Sequence, residues 1–200
     1  MRITGGDARG ITLKLPPRGE IRPATDYTRE AVFASIGALT AGARVLDLFA
    51  GTGAYGLEAF SRGADEIWFV EKNPAAAGVI QTNAAAVLRS ALGARAPLGT
   101  VAAAPSPFRF ITADACRWTA PAGTAFDLQF LDPPWALWER AGTALLDAAA
   151  ARAAAGDAAR IIAEHPGGWT PSVPAGWRVL RLLGKGRNQP AATLLARLGG

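Results

Sequence analysis

Arg44-Val45-Leu46-Asp47-Leu48-Phe49-Ala50-Gly51-Thr52-Gly53-Ala54-Tyr55-Gly56 is the stretch on which the fold turns. From Val45 to Ala50 only Asp47 is polar, the composition of a strand covered on both faces. Gly51-x-Gly53-x-x-Gly56 follows at once, and a helical stretch runs on to about Arg62. Glycines there let the backbone turn sharply and approach a ligand, while the helix N-terminus offers free N–H groups. Strand, glycine turn and helix in that order open a nucleoside-cofactor site. By itself the turn leaves three readings open: a dinucleotide site, an S-adenosylmethionine site, or a glycine turn that binds nothing.

Downstream the alternation continues. Glu66–Glu71 reads as a second buried strand, and Asn73-Pro74 opens a helix in the favoured cap-then-proline order. Phe108–Thr112, Phe126–Leu131 and Arg160–Ala163 read as further strands, and Leu137 to about Ala155 as a helix ended by Gly156. Trp177–Leu183 and Ala192–Leu198 look like a closing antiparallel pair. Apolar strands separated by helices predict an α/β fold with a mostly parallel, doubly wound sheet. Residues 92–107 are low-complexity and predict a loop insertion. Upstream, residues 2–15 alternate around Gly5, Gly6 and Gly10 as a small ribbon would. Pro16-Pro17-Arg18-Gly19 breaks it, and a helix from Tyr27 to Leu39 puts Val32, Phe33 and Ile36 on one face. The expected division is an N-terminal ribbon and helix over 1–39 and the main domain over 40–200.

Composition narrows the function classes. Half of the 200 residues are hydrophobic and 18% are charged, which excludes an intrinsically disordered chain. One cysteine excludes a disulfide framework and a Cys-rich zinc site. No metal-ligand spacing appears, and no apolar run approaches membrane-spanning length. The expectation is a cytoplasmic protein without a membrane segment or a metal. The net charge of +5 is unevenly placed. Residues 165–200 hold Arg178, Arg181, Lys185, Arg187 and Arg197 and no acid, so the preceding residues are neutral overall. Such a field suits a polyanion, or it blunts an exposed sheet edge.

The second motif is Leu131-Asp132-Pro133-Pro134-Trp135, at the end of a strand, where open α/β sheets place their active sites. Two prolines stiffen the backbone and leave carbonyls without competing N–H groups nearby. Asp132 adds a carboxylate acceptor, and Trp135 a flat face on which a base can stack. Two acceptors gripping the hydrogens of an exocyclic amine free its delocalised lone pair for attack. Hydride transfer has no use for this arrangement, so the pair of motifs favours methyl transfer to a nucleobase amine.

Together these residues resemble class I methyltransferases of the (Asp/Asn)-Pro-Pro-aromatic type. Met1–Gly10, Arg22-Pro23-Ala24-Thr25-Asp26, Arg29–Phe33, Leu46–Gly53, Gly56–Ala59, Ser61–Ala64 and Phe69–Lys72 are further similar to the bacterial RsmD-type enzymes. That resemblance implies a Rossmann-like fold, S-adenosyl-L-methionine as cofactor, and methylation of a guanine N2 in 16S ribosomal RNA. The RNA would be met free or within an assembling small subunit, by a monomer. Gly51, Thr52 and Gly53 would shape the pocket for the methionine end of the cofactor, with Asp47 nearby. Glu71 would hold the ribose with Lys72 alongside; Asp114 would reach the adenine amine and Ala115 would stack beside it. Asp132 and Pro133 would take the guanine amine on a Trp135 platform, with Pro134 completing the catalytic motif. Arg22, Arg29, Arg181, Lys185 and Arg187 are the candidate RNA-binding residues. Position 135 is commonly Tyr in that family, and the 92–107 insertion is unusual. An amino-methyltransferase acting on adenine N6 is the alternative. Cys116 is expected to be a small buried hydrophobe and His165 a local hydrogen-bonding group; Trp68, Phe69 and Trp118 are expected in the core.

Overall fold

The computed structural model describes residues 1–16, 26–95, 106–184, 186 and 189–199. Arg22, Lys185 and Arg187, and most of the expected insertion, lie outside them. Seven strands, β1 (Arg44–Leu48), β2 (Glu66–Glu71), β3 (Phe108–Thr112), β4 (Leu128–Leu131), β5 (Arg160–Pro166), β6 (Trp177–Leu183) and β7 (Pro190–Arg197), form one sheet in the order β3-β2-β1-β4-β5-β7-β6. The first five run parallel, and β7 inserts antiparallel between β5 and β6. Among the described residues, four α-helices accompany it: α1 (Asp26–Ile36), α2 (Ala54–Ser61), α3 (Pro74–Arg95) and α4 (Trp135–Arg152).

Two apolar clusters explain the layering. Val45, Phe69, Phe130 and Ile162 share one cluster with Val32 and Phe33 of α1, Leu57 of α2 and Ile80 of α3. Leu46, Leu48, Leu131 and Ile161 share the other with Trp138 and Leu146 of α4. Consecutive strand residues alternate between the clusters, as the two-residue repeat of a doubly covered strand requires. The order of strands reverses between β1 and β4, so the crevice of the fold opens at the C-terminal ends of these two neighbours.

Several element ends differ from the sequence reading. The first helix stops at Ile36, because Gly37 takes φ 53° and a single 3-10 turn follows to Thr40. Helix α3 runs on to Arg95, so the first residues assigned to the insertion are helical. Helix α4 starts two residues early, with Pro134 (φ −50°, ψ 136°) as its cap and the Pro134 carbonyl accepting from Leu137 N–H at 2.8 Å. It ends at Arg152, because the chain then turns to bridge Ala153 with Phe126. As expected, Asn73 caps α3 through its side-chain oxygen, 2.9 Å from the Ala75 N–H.

The N-terminal segment is bound into the main core. Its ribbon is held by an antiparallel bridge between Arg2 and Thr12 and by the Ile3–Ile11 and Leu13–Met1 backbone bonds. Ile3, Ala8 and Leu13 are buried in the same cluster as α2 and β1. Thr4 donates twice to Glu58 of α2, each at 2.8 Å, and Asn83 of α3 exchanges hydrogen bonds with both backbone groups of Lys14. No described helix is long and apolar enough to cross a membrane.

Candidate functional site

The chain leaves β1 through a backbone that ordinary residues avoid. Phe49 sits at φ 60°, Gly51 at 55° and Gly53 at 77°. Two of these three positions carry the residue without a Cβ penalty; Phe49 stores strain of order 1–3 kcal/mol, which packing of the turn must hold. The Gly53 N–H closes the turn on the Ala50 carbonyl at 2.6 Å. The Gly51 N–H donates to Glu71 Oε2 at 2.9 Å, and the other Glu71 oxygen accepts from Asn73 N–H at 2.8 Å. One carboxylate at the end of β2 therefore braces the turn at the end of β1.

The third glycine has a different task. A Cβ on Gly56 would stand 2.7 Å from Ile67 Cγ2 and collide with the Phe69 ring, so this glycine lets α2 lie against β2. Its N–H donates to Asp47 Oδ2 at 2.9 Å. Asp47 is buried, and burial, assisted by the charge of Glu71, pushes its carboxyl up to about 8. Thr52 is buried too, with its carbonyl accepting from Asn83 and its hydroxyl 3.4 Å from the Met1 sulfur. Lys72 is exposed. Asp114 is exposed as well, with Oδ1 accepting from Cys116 N–H at 3.0 Å, while Ala115 packs in the α4-side cluster.

These residues suit a charged nucleoside. Turn N–H groups, the Glu71 carboxylate and the Asp114 carboxylate line the ends of β1, β2 and β3 in that order. A hydroxylated ribose needs acceptors at the middle of such a row, and an adenine amine needs one at its far end.

Asp132 follows β4 immediately and is half-buried; Pro133 is buried and Trp135 is the half-buried first residue of α4. The register pairs Leu131 with Ala163, so Asp132 and Glu164 are the next residues along two neighbouring strand ends. Glu164 is 4% exposed and its Oε2 accepts the Tyr55 hydroxyl at 2.6 Å. Tyr55 comes from α2 and stacks on Phe130 with ring centroids 4.8 Å apart. Burial, then the negative charges of Glu164 and Asp47, push the Asp132 carboxyl well above the ordinary range. Burial also raises Glu164, against the opposing pull of the Tyr55 hydroxyl and the Arg29 guanidinium. Sequence reading missed Tyr55 and Glu164. The available clue was an acid closing the otherwise apolar run Ile161-Ile162-Ala163.

Three expectations need correction or relocation. Arg29 does not face a polyanion: its side chain is fully buried, pairing with Asp26 at 2.9 Å and Glu58 at 3.3 Å and donating to the Arg2 carbonyl. A guanidinium at that depth must be paired internally, and here it is. Arg181 is exposed on the edge strand and donates to Ser35 Oγ of α1 at 3.1 Å, away from the ends of β1 and β4. Cys116 is exposed, because it lies in the turn after β3 instead of on a strand. His165 is the local bonding group expected, with Nε2 2.8 Å from Thr193 Oγ1 and Nδ1 2.8 Å from the Pro166 carbonyl. Trp68 and Phe69 are buried, and Trp118 packs half-buried in the cluster that holds Trp68.

Residues 1–191 match the family described as conserved hypothetical protein 95. The chain belongs to that family, the RsmD type. The ribosomal RNA small subunit methyltransferase D of Escherichia coli strain K12 is 33% identical over 135 residues, 68% of this chain and 60% of its own length. The YlbH protein of Bacillus subtilis, described provisionally as an rRNA methyltransferase, is 40% identical over 83 residues, 42% of this chain and 45% of its own. The match thus spans about half the length of these curated relatives. A solved structure of the Escherichia coli yhhF protein, provisionally described as a methyltransferase, superimposes with a TM-score of 0.76 at 30% identity. It covers 98% of this chain and 97% of its own. The sheet order and the single inserted antiparallel strand of this RsmD-type chain are those of the class I methyltransferase fold.

Proposed function

We propose that this chain is an S-adenosylmethionine-dependent methyltransferase that methylates the exocyclic N2 of a guanine in 16S ribosomal RNA, in the cytoplasm. The observation that carries the reading is the meeting of two motifs at neighbouring strand ends. Gly51-x-Gly53 leaves β1 and Asp132-Pro133-Pro134-Trp135 leaves β4, and β1 and β4 are hydrogen-bonded partners. The similarity to a protein named as a small-subunit rRNA methyltransferase supports the choice of RNA.

Gly51, Thr52, Gly53 and Asp47 would shape the methionine end of the cofactor pocket. Glu71 and Lys72 would serve the ribose, and Asp114 and Ala115 the adenine. When bound, the cofactor supplies an electrophilic methyl on a sulfonium sulfur. Asp132 and the Pro133 carbonyl would accept the two amine hydrogens, turning the nitrogen lone pair out of conjugation, while Pro134 fixes the loop and Trp135 stacks on the base. Holding both reactants in line is the main source of rate, since intramolecular alignment is worth about 7–11 kcal/mol. RNA grip beyond the pocket is assigned to Arg22, Arg181, Lys185 and Arg187 of the two basic segments, with the protein acting as a monomer. Residues 1–39 form the extension that orients the site, and 40–200 the transfer domain.

The test is direct. Purified protein, radiolabelled S-adenosylmethionine and small ribosomal subunits from cells lacking the gene are incubated together, and the modified nucleotide is mapped by mass spectrometry. N2-methylguanine at one position upholds the reading; N6-methyladenine moves it to the alternative base, and no transfer to RNA rejects it.

A further inference from the structure

Methylating an amine has a proton to dispose of, and the site is built with more carboxylates than amine recognition needs. Asp132 and the Pro133 carbonyl already satisfy the acceptor role, yet Glu164, one step past the Leu131–Ala163 pairing on the neighbouring strand, is 4% exposed and fixed by the Tyr55 hydroxyl at 2.6 Å. Tyr55 is itself clamped, because its ring stacks on Phe130, two residues before Asp132. A buried carboxylate such as Glu164 is costly to ionise, and a second, half-buried one at the neighbouring strand end adds to the cost, so two such groups retain a proton between them.

We propose that Glu164, held by Tyr55, is a positioning residue that acts through Asp132: the two carboxyls share one proton, and together they receive the proton that the amine gives up. This rests on the methyltransferase reading above. The amine nitrogen forms a bond to the methyl carbon as the sulfur–carbon bond breaks, its electron pair staying on sulfur. The nitrogen, briefly cationic, loses one hydrogen as a proton; Asp132 accepts it on its free oxygen and passes its own proton to the Glu164 carboxylate. Before transfer the pair carries one negative charge opposite a sulfonium. Afterwards the pair is neutral opposite a thioether, so the buried site changes no net charge. That is the arrangement a low-dielectric site favours.

The groups facing the pair fit this division. Asp47 from β1 adds negative charge beside Asp132 and opposes its ionisation. Tyr55 from α2 and the Arg29 guanidinium from α1 both favour the charged form of Glu164. Glu58 and Asp26 neutralise Arg29 in turn, and His165, next on β5, is engaged with Thr193 and Pro166. The Tyr55 hydroxyl at 2.6 Å and the Arg29 guanidinium thus favour negative charge on the Glu164 side of the pair.

Glu164→Gln keeps the shape and an acceptor for Tyr55 while removing the charge. Single-turnover methyl transfer to gene-deficient small subunits should fall roughly 100-fold near neutral pH, within the range for a lost proton acceptor. Its acidic limb should move to higher pH, because Asp132 must then ionise to do the work alone. Tyr55→Phe should move the limb the same way by less. As a second readout, infrared titration of the protein without RNA should show Asp132 losing its proton at lower pH in Glu164→Gln than in wild type, with Asp132→Asn assigning the band. A uniform loss at every pH, or an unmoved Asp132 band with S-adenosylmethionine affinity intact, overturns the inference and gives Glu164 a structural role. Failure of wild type to methylate the subunits instead overturns the underlying reading, and the infrared result still decides whether the pair shares a proton.

Discussion

The backbone N–H of Gly51 points at Glu71 Oε2 from 2.9 Å, so the residue at the end of β2 braces the turn at the end of β1. A carboxylate that fixes the turn and still has lone pairs to spare is well placed for ribose hydroxyls. Glu71→Ala would remove both contributions. Loss of a hydrogen bond to a charged group costs about 1.5–3 kcal/mol, so S-adenosylmethionine affinity should fall roughly ten- to a hundredfold. Calorimetric titration checks it, and unchanged affinity with an intact fold removes Glu71 from the site.

Asp132→Ala should separate chemistry from cofactor affinity. The carboxylate is assigned to the target amine, so methyl transfer should nearly vanish while S-adenosylmethionine binds much as before. Collapse of cofactor binding with residual turnover would move Asp132 from the amine to the cofactor.

The parallel sheet, the glycine turn and the placement of Asp132 were legible in the sequence because each follows from local pattern. Apolar runs mark β1, β2, β4 and β5, and prolines or glycines mark what leaves them. What was not legible depends on partners far along the chain. Arg29 reads as a surface cation on a helix until Glu58, 29 residues on, closes over it. Glu164 reads as a strand-end acid until Tyr55, 109 residues earlier, is brought to its carboxylate. The early start of α4 was missed because the proline pair looked like a loop, although proline is a favoured helix beginner.

Gly56→Ala tests the packing role of the third glycine. An added Cβ would meet Ile67 Cγ2 at 2.7 Å and the Phe69 ring, both in the buried cluster, where neither can yield. Overpacking of this kind costs about 1–3 kcal/mol. A lower urea midpoint with an unchanged slope is expected; an unaltered midpoint would mean that α2 shifts freely on the sheet.

Stability without ligand should decline as pH rises. Asp47 keeps its proton up to about 8 when folded, against 3.8 as its ordinary value. The folded state therefore binds more protons across that window, and this stability is fully present below the ordinary value and lost progressively as pH rises through the folded one. Asp132 and Glu164 are shifted in the same direction and add to the trend. Denaturation at about pH 5.5 and about pH 8.5 should differ by about 1 kcal/mol or more, and Asp47→Asn should flatten the difference. A wild type equally stable at both values would show that these carboxyls ionise freely in the fold.

Salt dependence of RNA binding separates the arginine that is buried from the cations assigned to phosphate. Arg29 lies in the core between Asp26 and Glu58; Glu58 keeps Arg62 and Thr4 when Arg29 is lost, so Arg29→Ala should destabilise the protein by about 1.5–3 kcal/mol. It should leave the salt slope of RNA binding unchanged in protein that remains folded. Arg181 is exposed, and its hydrogen bond to Ser35 is a weak surface interaction that a phosphate can replace. β5 and β7 pair as far as Pro166 and Pro190, so β7 begins at the same end of the sheet as Asp132 and Glu164. Lys185 and Arg187 immediately precede that start in sequence. Replacing Arg181, Lys185 and Arg187 together by alanine should weaken binding about equally across RNA sequences. The logarithmic salt slope should flatten by roughly 0.7–0.9 for each phosphate that is no longer neutralised. Filter binding across a salt series measures it; an unaltered slope assigns the three cations to solvation of the sheet edge.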